Sequence, residues 1–364
     1  MISVIRPLRC LASRCSAALC CTVLFLALCV LPAPSAIAAS CLAGVNLAGG
    51  EFGEAPGAHG DTHIYPSDET LDYFSFLGTN VVRLPFKWQR LQPALFGGFD
   101  STELALIDAT VRRITLRGMK VILDPHNYAG YRGNKIGSKS VSFEAFADFW
   151  KQLAKHYAGQ PDVILLLMNE PANIKSDVWH EAANHAVKAI RSVGAANLIM
   201  IPGNKWTGAS SWFLKQEGGA NSDLFLKVDD PLNYYVFDFH QYLDADFSGT
   251  NLSCERTGDA LEALEKVTDW LRDSKTTGFL GEFGGSGQAN CLSGLEQVAD
   301  FMSQNDDVWL GWAAWAAGEW WGDYPYSLQP KKGVSQVQTL TLEPYFAASS
   351  AERDCGSLHL PVRR

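Results

Sequence analysis

The chain has 364 residues, 47% of them hydrophobic, with 30 basic and 39 acidic side chains and a net charge of −9. That is enough apolar material for one large core or two small ones. The basic residues are scattered rather than striped, which argues against a nucleic-acid partner, because phosphate binding needs clustered Lys and Arg.

In chain order, residues 1–39 read as an export leader. "MISVIRPLRCLASR" carries three arginines and no acid, "CSAALCCTVLFLALCVLP" is apolar, and Ala36 and Ala38 form an A-x-A cleavage pattern. The alternative is a membrane anchor. Without the three leader arginines the net charge becomes −12. No other stretch is long and apolar enough to span a bilayer. Five of the nine cysteines fall in the leader, leaving Cys41, Cys254, Cys291 and Cys355. An even number in an exported chain suggests disulfides, and three pairings are open. Cys254–Cys291 with Cys41–Cys355, the latter joining the two ends of one domain, is the favoured set. No CxxC occurs, so no zinc site is expected. "IAASC" also fits a lipoprotein-like cleavage site; acylation of Cys41 would then tether the protein and leave Cys355 unpaired.

After residue 40 no linker or low-complexity run appears, which implies one domain over residues 40–350 and a short tail at 351–364. Short apolar strand candidates recur: "AGVNLAG" (43–49), "NVVRLPF" (80–86), "MKVILDP" (119–125), "VILLLMNE" (163–170), "NLIMIPG" (197–203), "YYVFDFH" (234–240), "GFLGEFG" (278–284) and "VWLGWAAW" (308–315). Amphipathic stretches such as "FEAFADFWKQLAKHY" and "GDALEALEKVTDWLRDSK" lie between them. Eight strands alternating with helices predict an α/β fold, a single-domain (β/α)8 TIM barrel. The alternative is a doubly wound open sheet, but "NLAGGEFGEAPG" and "GEFGGSG" both miss the GxGxxG spacing that such a fold usually carries.

In a barrel the C-terminal strand ends form the active-site floor. Arg83, His126 with Asn127, Asn169 with Glu170, Asn204, His240, Tyr242, Glu282 and Trp315 all fall there. Two glutamates on different strands suit glycoside hydrolysis: one protonates the leaving oxygen, the other attacks the anomeric carbon or activates water. Neighbours must make the two unequal. Arg83 can hold a carboxylate ionised, Tyr242 can donate to the same carboxylate, and Trp315 offers a flat face for a sugar ring.

"MNEP" and "GEFGG", with "VVRLPFKW", "DPHNY", "GNKWTGA", "HQYLDADFSGTNLSC" and "WAAGEWWGDYPYSL", resemble the motifs of glycoside hydrolase family 5, in particular its endo-β-1,4-glucanases, over about residues 41 to 345. The resemblance implies that Glu170 is the acid/base and Glu282 the nucleophile. Asn169 would bind the sugar 2-hydroxyl beside the scissile bond, and Arg83 and Tyr242 would hold the nucleophile. His126, with Asn127 beside it, and His240 would hydrogen-bond substrate in the subsites. Trp315 would be the aromatic platform, with Trp206 and Trp320 as outer stacking residues. Glu319 departs from the proline expected in "AAGPWWG"; it is expected near the cleft edge, where it could alter a distal subsite without touching the chemistry. Trp88, Trp212 and Trp321 are either further platforms or core.

"HEAANH" (180–185) spaces its histidines by five, where one helical face needs four, so no metal is assigned. "NLS" at 251–253 is a glycosylation sequon. These readings converge on a secreted, monomeric, retaining endo-β-1,4-glucanase that needs no cofactor, takes a β-1,4-glucan, and has no nucleic-acid partner and no membrane contact once the leader is removed. The rivals are the same machinery on mannan, xyloglucan or mixed-linkage glucan, and a non-catalytic glycan-binding barrel.

Overall fold

A computed structural model describes residues 40–350; the expected leader (1–39), the expected tail (351–364) and with it Cys355 lie outside the described residues. Eight parallel strands close on themselves: β1 (Leu42–Leu47), β2 (Val81–Phe86), β3 (Lys120–Pro125), β6 (Val163–Leu166), β7 (Ile199–Pro202), β8 (Tyr235–His240), β9 (Gly278–Glu282) and β10 (Trp309–Ala317). A small antiparallel hairpin, β4 (Gly130–Tyr131) with β5 (Asn134–Lys135), decorates the loop after β3. β1 pairs with both β2 and β10, so the sheet is a closed barrel rather than an open doubly wound sheet.

The strands are near-continuous apolar runs because both faces are buried, one by the barrel interior and one by helices. Outside, helix Phe143–Tyr157 illustrates the fit: Phe146, Phe149, Trp150, Leu153 and Tyr157 fall on one buried face at helical spacing. Ser142 caps its start by accepting from the Ala145 N–H. Inside, Leu42, Val81, Ile122, Ile164, Val236 and Phe279 come from six different strands and form a separate apolar cluster. Side chains alternate with period two along a strand. Two residues further on, the interior therefore receives Arg83 after Val81, Asp124 after Ile122, and Asp238 after Val236. Two residues further again come His126 and His240. The barrel is thus apolar at the bottom, charged in the middle and catalytic-type at the rim.

Two strands differ from the sequence expectation. β6 ends at Leu166, and Asn169 and Glu170 lie beyond it on the loop. The chain still tracks its neighbours there: Leu167 N–H donates to Met200 O at 3.0 Å and Asn169 N–H to Pro125 O at 3.1 Å. The backbone then turns left-handed at Glu170, with φ 42°. β10 runs on to Ala317, so Trp315 sits inside a strand rather than at its end. None of the described helices is long and apolar enough to cross a membrane.

Candidate active site

Glu282 closes β9. Phe239 pairs with Leu280 but His240 pairs with Glu282, so β9 carries one extra residue, Gly281. Such a bulge re-aims the following side chain. It turns Glu282 onto the inward face that His240 already occupies. Arg83, fully buried, donates through Nη1 to Glu282 Oε1 at 2.7 Å, and the Tyr242 hydroxyl donates to Oε2 at 2.8 Å. Burial pushes the Glu282 carboxyl above the ordinary range, and the cations of His240 and Arg83 oppose that push. Burial alone would lower Arg83, but Asp124 and Glu282 outweigh it and raise it; the guanidinium is permanently charged.

The same guanidinium organises the floor. Nη1 also donates to Asn46 Oδ1 at 2.7 Å, and Nη2 to Asn169 Oδ1 at 2.6 Å. Nη2 lies 3.1 Å from Asp124 Oδ2. With its carbonyl oxygen claimed by Arg83, Asn169 presents its NH2 group to His126 Nε2 at 3.0 Å. His126 must accept there and therefore carries its proton on Nδ1, which donates to Asp124 Oδ2 at 2.7 Å.

Glu170 stands opposite. Its Oε1 lies 2.8 Å from His240 Nδ1, which is also 3.6 Å from Glu282 Oε2. One oxygen of Glu170, one of Glu282 and a His240 nitrogen all lie within 4.8 Å of one another. Three ligand-type atoms this close resemble a cation site. Here both Glu282 oxygens already accept, from Arg83 and Tyr242, and His240 stands between the carboxylates, hydrogen-bonded to Glu170 and in charge contact with Glu282. Beside Glu170 opens a cleft of about 550 Å³, lined among others by Tyr128, Lys205, Trp206 and Tyr242.

Most of the residues singled out from the sequence meet here. Trp315, half-buried, stacks on His126 with ring centroids 5.6 Å apart. Trp206 is 43% exposed on the loop after β7, placed beside Glu170 by its N–H bond to Pro171 O. Trp320 is exposed on the loop after β10, but it is Trp321 that meets Trp315 edge-on at 6.0 Å. Trp88 and Trp212 are buried core, not platforms. Asn127 is tied to the helical turn Trp88–Leu91 that follows β2: Oδ1 accepts the Trp88 N–H, and Nδ2 donates to Gln89. Asn204 likewise serves the scaffold, donating to Ile174 O and Ser176 Oγ. His180 pairs with Asn184 and His185 with Glu181, on separate partners. The sequon Asn251 uses its NH2 to donate to Asp244 and Asp246.

Glu319, on the loop after β10, is anchored to the start of helix Asp68–Phe76, accepting from the Ser67 N–H at 2.9 Å and the Thr70 hydroxyl at 2.6 Å. It completes that helix start, where N–H groups lack intrahelical partners. Replacing Glu319 by Ala is expected to remove about 1 kcal/mol of stability and to lower Tm by about 2 °C. kcat/KM should stay within about twofold. Calorimetry beside a rate measurement checks both; a large activity loss at unchanged Tm would give Glu319 a role in a distal subsite.

Cys254 and Cys291 are joined, as favoured. The bond ties the loop after β8, which carries Tyr242, to helix Ala289–Gln304. Cys41 is disulfide-bonded; its expected partner, Cys355, lies outside the described residues. Asn46, Asp124 and Asp238 were missed. Each is a polar residue inside an apolar strand, and Asp124 and Asp238 sit two residues before a rim histidine, which is the signal that marks them.

A closed parallel barrel that aims two glutamates at each other across its C-terminal rim, one gripped by Arg83 and Tyr242 and one by His240, is a glycoside hydrolase. The chain belongs to the cellulase family, glycosyl hydrolase family 5, whose model matches residues 43–318. It is 36% identical over 305 residues to endo-beta-1,4-glucanase B of Aspergillus niger, covering 83% of this chain and 89% of that protein. It is 37% identical over 295 residues to endoglucanase 3 of Humicola insolens, covering 80% of this chain and 74% of that one. An endo-beta-1,4-glucanase structure from Xanthomonas axonopodis pv. citri superposes with a TM-score of 0.83 at 42% identity, over 85% of this chain and 99% of its own. XacCel5A, solved in complex with cellopentaose, gives 0.82 at 42% identity over 84% and 99%. The family resemblance read from the motifs is confirmed.

Proposed function

We propose that the protein is a retaining endo-β-1,4-glucanase in which Glu282 is the nucleophile and Glu170 the acid/base. One observation carries the mechanism: oxygens of the two carboxylates lie within 4.8 Å of each other. Retaining enzymes separate the pair by about 5–5.5 Å, whereas inverting ones need about 6.5–9.5 Å to admit a water. In the first step Glu282 bonds to the anomeric carbon as the glycosidic C–O bond breaks and Glu170 protonates the departing oxygen. In the second, Glu170 takes a proton from water, the water oxygen bonds to the anomeric carbon, and the bond to Glu282 breaks. Asn169, held by Arg83 and His126, binds the sugar 2-hydroxyl, and Trp315 is the aromatic platform for a sugar ring. Trp206 supports the leaving chain beside Glu170.

The substrate assignment is supported by relatives named endo-beta-1,4-glucanase. Export is supported by the composition of residues 1–39. The expected result on defined oligosaccharides is internal cleavage of cellopentaose, with the β-anomer formed first in the NMR spectrum and manno-oligosaccharides left largely intact. A first-formed α-anomer rejects the retaining mechanism. Faster cleavage of manno-oligosaccharides rejects the substrate.

A further inference from the structure

The strand pairs place Asp-x-His twice at the rim, Asp124-Pro125-His126 on β3 and Asp238-Phe239-His240 on β8. The two units are wired differently. His126 meets a carboxylate on Nδ1 and an amide donor on Nε2; burial lowers its pKa and Asp124 outweighs that and pushes it up, but the amide NH2 facing Nε2 leaves that nitrogen to accept rather than carry a proton. His240 meets carboxylates on both nitrogens: Glu170 at 2.8 Å and Glu282 at 3.6 Å on Nδ1, and Asp238 Oδ2 at 3.4 Å on Nε2. Asp238 is fully buried, and neither of its side-chain oxygens has a hydrogen-bond partner. His240 Nε2 also lacks one. A buried carboxylate without donors is costly unless a charge compensates it. The fold nevertheless makes room for it. A Cβ on Gly281 of β9 would stand 2.2 Å from Asp238 Oδ1, and Thr207 pins the Asp238 backbone carbonyl through its hydroxyl.

We infer that Asp238 is a positioning residue acting through His240: it keeps the ring doubly protonated, so that the proton between His240 Nδ1 and Glu170 Oε1 is the store from which the acid is charged. The inference rests on the acid/base assignment of Glu170. Imidazolium with carboxylate, and imidazole with carboxylic acid, hold the same number of protons across that 2.8 Å contact. In the first chemical step the Nδ1–H bond breaks and an Oε1–H bond forms. That proton passes to the glycosidic oxygen as its bond to the anomeric carbon breaks. In the second step the proton taken from water returns along the same contact to Nδ1. Asp238 Oδ2 faces Nε2–H throughout, 3.4 Å from the nitrogen. The charged and titratable groups around the ring are Asp238 and Tyr242 on its own segment, Glu170 after β6, Glu282 on β9, Arg83 on β2 and Lys205 on the loop after β7. Burial alone would lower His240, yet Glu282 and Asp238 outweigh it and push it up to about 10.

The test is the pH profile of kcat/KM for Asp238→Asn on cello-oligosaccharides. Removing the negative charge beside Nε2 weakens the hold on the shared proton. The alkaline limb should therefore move to lower pH by at least about one unit. An aryl cellobioside with a nitrophenol leaving group, which needs little protonation, should lose far less at the same alkaline pH. A uniform fall at every pH, or an unmoved limb, overturns the inference and leaves only a structural role. If the variant does not fold, the wild-type protein decides. In ¹⁵N spectra of histidine-labelled enzyme, with the His240 resonances identified by their loss in His240→Gln, both ring nitrogens should be protonated at neutral pH. An Nε2 without a proton overturns it. Should Glu170→Gln fail to show the leaving-group dependence argued below, the acid assignment falls; a Glu170 that behaves as the acid beside an unmoved limb sinks Asp238 alone.

Discussion

Glu282→Gln should lower kcat/KM on cello-oligosaccharides by at least about 10³-fold. The substitution keeps shape and removes the reactive oxygen. An amide cannot form the glycosyl ester. The variant should still fold and bind. Its carbonyl can accept from Arg83 Nη1 in place of Oε1, and its NH2 can donate to the Tyr242 oxygen in place of Oε2. Only the opposite flip sets donor against donor, and Arg83 disfavours it. Cellopentaose binding by calorimetry should therefore remain within about an order of magnitude of wild type. Reducing-end assays within tenfold of wild type would remove Glu282 from the nucleophile position.

Glu170→Gln should separate substrates by their leaving groups. A sugar hydroxyl leaves poorly unless protonated, so cello-oligosaccharide cleavage should fall by about 10²–10⁴-fold. A nitrophenolate leaves unaided, so the first step on an aryl cellobioside should lose much less. The second step still needs a base to activate water. The glycosyl-enzyme should therefore accumulate, giving a burst of nitrophenol equal to the enzyme concentration and a matching increase in mass. Equal losses on both substrates, without a burst, would falsify the acid/base role. The two variants together distinguish the carboxylates: Glu282→Gln shows no burst on either substrate, because the ester never forms.

The barrel was legible because its evidence is local. Eight apolar runs with helical stretches between them are visible without any contact map, and all eight appear as strands. Glu170 and Glu282 were legible as polar residues closing apolar runs. The middle layer was not read, because attention to strand ends passes over Asn46, Asp124 and Asp238 inside the strands. Period two would have found Asp124 and Asp238, each two residues before a histidine. The anchoring of Glu319 was not legible either, for another reason. It lies on a long loop, and whether that loop turns its carboxylate to the cleft or to the start of helix Asp68–Phe76 depends on how the loop packs. No periodicity carries that information.

The sequence by itself determined the barrel, the two carboxylates and the kind of neighbours they need, because side-chain alternation and composition are properties of adjacent residues. The tertiary structure alone decided how those groups meet. An extra residue in β9 turns Glu282 inward, barrel closure brings Arg83 of β2 to within 2.7 Å of a carboxylate 199 residues away, and the rim sets oxygens of Glu170 and Glu282 within 4.8 Å of each other. Those are separations across the barrel, fixed by the register and closure of eight strands at once, and no single stretch of chain contains them.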